Sequence, residues 1–215
     1  MRVLRETACP YGHAAIVRVH MQSVFPATDS VAWREYIHAA SSFLRELPCS
    51  VDIAALELPI VLEAASEGML ARVANTVLAG LTLAAHGDVT PLYENIETSG
   101  WELRLYNRNF FPLVLSPTYT RDHPRFIPWR QSILVIQPED SFTRHGVTSA
   151  NSERLRLSER AEQAFQRNGQ RYFPAITRDL PKAFRLIKPD LDGVQPVRWW
   201  NSRTLVPLDT LDLGR

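Results

Sequence analysis

WELRLYNRNFFPLVLSPTYTRDHPRFIPWRQSILVIQP, from Trp101 to Pro138, carries the fold class. Trp101, Leu103 and Leu105 alternate with Glu102, Arg104 and Tyr106, the period of a strand with one buried face. Asn107 to Asn109 is turn material, and FFPLVLS returns as the second arm of a hairpin. Pro112 lacks a backbone donor, which predicts that this arm lies at a sheet edge or carries a bulge. Ser132 to Gln137 is a third, β-branched strand bounded by Pro138. Between the second and third strands stand Tyr119, Arg121, Asp122, His123, Arg125, Trp129 and Arg130, more charge and aromatic surface than a connection needs. That segment is expected to emerge at a sheet edge, where its side chains would converge on whatever covers the edge.

Outward from these strands the pattern changes to helix. Asp29 to Leu47 places Trp33, Tyr36, Ile37, Ala40, Phe43, Leu44 and Leu47 on one stripe after an Asp/Ser start signal, and Pro48 stops it. Glu67 to His86 repeats the pattern with Gly87 as terminator, and apolar residues on its other side predict a deep position. VDIAALELPIVLEAAS, residues 51–66, is ambiguous between strand and helix. A further helix is expected from about Ser152 to Gly169, and a short one at Leu180 to Ile187. The proline-rich end is expected to wrap the body, because Trp199 and Trp200 are costly to leave in water. Three successive strands followed by helices predict an α+β fold, one domain over residues 1–215, with a mainly antiparallel sheet flanked by helices.

Composition removes several function classes. At 215 residues, 45% hydrophobic and 22% charged, the chain has enough apolar material for one core and is not of disordered type. A net charge of +1 gives no overall attraction for nucleic acid or an anionic membrane, so neither is expected as a partner. No run approaches the roughly 18 apolar residues of a membrane span, and the first residues lack a secretory apolar stretch, which predicts a cytoplasmic protein. Cys9 and Cys49 are expected as reduced thiols. No CxxC or HxxEH spacing, glycine-rich phosphate loop or GxSxG elbow occurs.

The 116–132 connection survives this filter. A histidine that can ligate iron, an aromatic, and guanidiniums that fork onto carboxylates stand together in it. The plainer alternative is solvated arginines with Trp129 packed. The other histidines suit simpler roles: His38 within a helix, packing at the boundary of its buried stripe next to Ile37, His86 near a helix C-terminus where the dipole favours a cation, and His145 in a loop with no visible partner. His13 and His20 are seven apart and can share one face of a helix, yet with Cys9 they make no recognised metal pattern.

CPYGHAA at 9–15, WELRLYNRNFFPLVLSPTYTRDHPR at 101–125, SILVIQPEDSF at 132–142 and the arginine-rich helix beyond resemble the YqcI/YcgG family, in the same order and at similar intervals. The resemblance covers most of the chain. It implies a heme-dependent oxygenase that hydroxylates a guanidine or amine nitrogen of a small amino-acid-like substrate in a biosynthetic pathway. It implies His123 as the iron ligand if the HPR triplet is the anchor, with Tyr119 nearer that position under a shifted anchor. Arg121, Arg125 and Arg130 would then meet the propionates, Phe110, Phe111 and Trp129 would wall the macrocycle, and Glu102 or Asp122 would face a cationic substrate. An electron-donor protein is an implied partner, and a homodimer is compatible. CPYG departs from the family's Pro-Cys order, which leaves Cys9 without an implied role. Two other readings stand beside it: a cofactor-free protein holding a small anionic metabolite on the arginine loop, and a partner-binding module anchored by Trp199 and Trp200.

Overall fold

Five strands form a single mixed sheet in the order β1-β2-β5-β4-β3. They are β1 (Val17–His20), β2 (Ile53–Glu57), β3 (Leu103–Leu105), β4 (Arg108–Leu115) and β5 (Ile133–Pro138). The helices are α1 (Ser30–Arg45), α2 (Glu67–His86), α3 (Thr90–Tyr93), α4 (Glu139–Arg144) and α5 (Asn151–Arg167). The computed structural model describes residues 15–20, 29–59, 66–146, 151–171, 180–189 and 194–211, without the side chains of 151–158.

The expected three-strand core is present: β3, β4 and β5 are antiparallel neighbours, with Leu103 opposite Phe110 and Leu113 opposite Val135. β2 joins β5 antiparallel, but β1 runs parallel to β2, so the sheet is mixed and not wholly antiparallel. The ambiguous residues 53–57 are a strand because both their faces are buried. Ala54 and Leu56 face the helices and Ala55 the other side, so no period of two survives in the sequence. Residues 17–20 are likewise strand, which removes the helical pairing of His13 with His20; His13 and Cys9 lie outside the described residues.

Pro112 pairs with Ile136 in the interior strand β4, not at an outer edge or a bulge. The physical reason behind the expectation still operates locally. β3 reaches β4 only as far as Phe110, and beyond it Val114, two residues on from the proline, donates to the carbonyl of Leu186 instead. The missing N–H of Pro112 therefore falls where no strand needs it.

Helices α1 and α2 cover one face of the sheet. Asp29 caps α1, its carboxylate accepting from the amides of Val31 and Ala32 at 3.0 Å each. Ser66 caps α2, and Gly87 closes it at φ 74, a left-handed conformation suited to glycine. Gly80 lets the two helices touch: a Cβ there would stand 2.8 Å from Ile37 Cδ1. Among the described residues α2 alone is long and apolar enough to cross a membrane, but 67% of that window is buried inside the fold. Its polar groups fasten the C-terminal segment. Asn75 Nδ2 donates to Ser202 O at 2.6 Å, Thr76 Oγ1 accepts from Leu205 N at 2.9 Å, and Trp199 is buried with its Nε1 donating to Ala183 O at 2.8 Å.

The opposite face carries a smaller core of Ala55, Leu115, Ile127, Ile133 and Val135, with Val17, Val19, Leu113 and Trp129 packed against it. The 116–132 connection leaves from the end of two central strands, not from the sheet edge as expected. It folds back so that Ile127 and Trp129 cover this face, while Tyr119 and Phe126 join the larger core.

Candidate functional site

The connection is built around Ser116. Its amide donates to Arg125 O at 3.0 Å, its carbonyl accepts from Ile127 N at 3.3 Å, and its hydroxyl lies 2.7 Å from that of Ser132. His123 is fully buried, stacked on Tyr119 with ring centroids 4.0 Å apart. Its Nδ1 accepts from the Arg125 amide at 3.1 Å, so the ring proton belongs on Nε2, which lies 3.3 Å from the carbonyl of Pro189. Arg125 is buried as well. Its Nη1 donates to Leu186 O at 2.5 Å and its Nη2 to Arg185 O. His123 and Arg125 thus tie the connection to the backbone carbonyls of residues 185–189.

An iron porphyrin does not fit this arrangement. Both His123 nitrogens face the backbone, Tyr119 covers the ring, and Arg125 spends its fork on carbonyl oxygens. Arg121 and Arg130 are exposed. The three expected wall residues are not on one surface: Phe110 lies in the larger core, Phe111 meets Phe142 edge-on, and Trp129 belongs to the smaller core. Glu102 bonds Lys182 at 2.9 Å and Asp122 pairs with Arg171, so each candidate acid already has a cation. Among the described residues no three His, Cys, Asp or Glu side chains converge as a metal would require.

A different group stands open. The carboxyl ends of β1 and β2, the start of β5 and the end of β4 all lie at one end of the sheet. There Glu57, 1% exposed, closes β2 on the side of the smaller core. Its Oε1 accepts from Trp129 Nε1 at 2.7 Å, and its backbone carbonyl accepts from Tyr36 Oη at 2.9 Å. Its Oε2 is buried and has no partner among the described residues. The same holds for Gln131 Oε1, two residues before the Ile133 that pairs with Glu57, and for His20 Nε2 at the end of β1. Burial pushes the His20 imidazole below its ordinary value, with the charge of Glu57 pulling the other way. Burial, reinforced by Glu57, pushes the Tyr36 hydroxyl up. Two of these open atoms are oxygens that only accept, and buried acceptors without donors are rare in folded proteins.

Neither Glu57 nor Gln131 belongs to a motif in the sequence. The signal was a single acid inside VDIAALELP: a carboxylate in a run otherwise fit for a strand buried on both faces. Elsewhere, His38 is exposed rather than packed at the boundary of the stripe, and His86 is exposed with its Nε2 2.8 Å from Arg104 O, a tie to β3. His145 has a partner after all, since Asp52 Oδ1 lies 3.0 Å from its Nε2. Cys49 is exposed with a free thiol. Two surface depressions, about 660 Å³ beside Ser66, Arg72 and Arg203 and about 520 Å³ beside Phe184 and Arg198, are lined by none of the groups at the strand ends.

No family model matches the chain, and no curated protein or solved structure is significantly similar to it.

Proposed function

We propose that this protein binds a small cationic nitrogen compound, an amine or a guanidine, at the carboxyl ends of β1 and β2, with the Glu57 carboxylate as its counter-ion. The observation that carries the reading is the Oε2 of a buried carboxylate without a partner among the described residues, with a second such acceptor, Gln131 Oε1, two residues from the Ile133 that pairs with Glu57. An ionised group held out of water with one hydrogen bond is costly, and a charged N–H donor both satisfies and neutralises it. A neutral acceptor or an anion would worsen the same position.

The resemblance to the YqcI/YcgG family implies heme-dependent hydroxylation of such a nitrogen in the cytoplasm, but the residues around His123 offer no seat for that group, so the reading rests on capture of the cation alone. His123 and Arg125 take no part in this reading beyond supporting the fold. An anionic metabolite on the arginines is not favoured by the geometry, because Arg125 is committed to backbone carbonyls.

Calorimetric titration with methylguanidinium and with methylammonium tests the proposal. Saturable binding of either cation, lost in Glu57→Gln and absent for neutral N-methylurea, is the expected result. Equal binding by Glu57→Gln would overturn it.

A further inference from the structure

The indole of Trp129 is a donor placed on an acid that has a second oxygen to spare. Trp129 is half-buried against the smaller core, and its only polar atom reaches Glu57 Oε1 at 2.7 Å. An indole N–H donates once and accepts nothing, so it fixes the carboxylate without cancelling its charge and without competing for the donors of a ligand. A lysine or arginine in its place would fill the site with its own cation. The terminal torsion of a glutamate is broad, so an unheld carboxylate would sample many orientations. We infer that Trp129 is a positioning residue for the cation site: it anchors one oxygen of Glu57 and thereby presents the other. The inference rests on the reading of Glu57 given above.

The construction of the connection agrees with this role. Ile127, two residues before Trp129, is bonded to Ser116, and the Ser116 hydroxyl meets that of Ser132 three residues after it. The indole is therefore held from both sides along the chain. Charge and aromatic groups concentrated in this segment then serve two ends: His123 and Arg125 grip residues 185–189, and Trp129 sets the acid.

The test is the affinity for methylguanidinium of wild type, Trp129→Phe, Glu57→Gln and the double variant, with the thermal midpoint of each. Phenylalanine keeps most of the ring and removes the N–H. Loss of one hydrogen bond to a charged group predicts binding about tenfold weaker in Trp129→Phe. The thermal midpoint is expected to change little, and the double variant to bind no more weakly than Glu57→Gln alone. Wild-type affinity in Trp129→Phe, with Glu57→Gln inactive, overturns this inference and leaves the cation site standing. No binding by wild type overturns both. Should Trp129→Phe fail to fold, ¹⁵N spectra of the five tryptophan indoles in wild type decide the matter. The one indole N–H displaced by Glu57→Gln must also move on adding methylguanidinium, and its failure to move overturns the inference.

Discussion

His123 and Glu57 are both buried polar residues at the same end of the sheet, and they differ in what surrounds them. Each nitrogen of His123 faces a backbone group and its ring lies flat on Tyr119, so the residue is chemically occupied. Glu57 has one oxygen bonded and one without a partner among the described residues. A saturated polar group is a structural fastener, whereas an unsaturated one in a folded interior is available for a ligand. Residue type alone does not separate the two.

The comparison can be broken most forcefully at Arg125. Arg125→Ala removes a donor from Arg185 O and one of the two that reach Leu186 O in a buried setting, and urea unfolding should show a loss of about 3 kcal/mol with no change in cation affinity. A large loss of affinity with little loss of stability would reverse the roles assigned to the two regions. Gly80→Ala is the control that spares both. Its new methyl meets Ile37 at the crossing of α1 and α2, and a cost of about 2 kcal/mol is expected in the same measurement, with binding intact.

Asp52 sharpens the contrast, because it is a buried carboxylate of the saturated kind. It accepts from the Ile16 amide at 2.9 Å, from Arg144 at 2.9 Å, and lies 3.0 Å from His145. Burial disfavours its charge, but these donors outweigh burial and hold its carboxyl below the usual 3.8. A depressed carboxyl lends stability that is complete above the unfolded value and disappears as pH falls through the folded one. Asp52→Asn should therefore cost about 2 kcal/mol at pH 7 and much less near pH 2, by chemical denaturation at both. Glu57→Gln should cost far less than Asp52→Asn at pH 7, since it breaks no comparable network.

The smallest effect concerns Lys188, which burial, with Arg125 and Arg185 nearby, pushes down to about 7. A lysine lowered on folding is least favourable while charged. Its contribution rises as pH climbs from about 7 towards the ordinary 10.5. Lys188→Met should accordingly gain about 1 kcal/mol at pH 6 and less at pH 10, read from thermal midpoints.

Much of the fold was legible because it is local. Trp101 to Pro138 alternates as strands do, and Asp29, Ser66 and Gly87 mark helix ends by chemistry that acts within a few residues. β1 was not legible: four residues paired on one side by a strand 36 positions away leave no period to read. α4 was missed for a similar reason, six residues without a buried stripe after Pro138. At the candidate site the sequence singles out the 116–132 connection by its charge and aromatic content, but not what its members touch. His123 and Arg125 are spent on carbonyls of residues 185–189, pairings across 60 to 66 positions that no motif encodes. Glu57 was visible only as an acid in an apolar run, and its meaning depends on Trp129, 72 residues away.

One experiment weighs the two regions directly: methylguanidinium affinity and thermal midpoint, measured together, for Glu57→Gln and His123→Ala. The account predicts that Glu57→Gln keeps its midpoint and loses binding, while His123→Ala loses several degrees and, at a temperature where it is folded, binds as wild type does. Binding that survives in Glu57→Gln and vanishes in folded His123→Ala would contradict it.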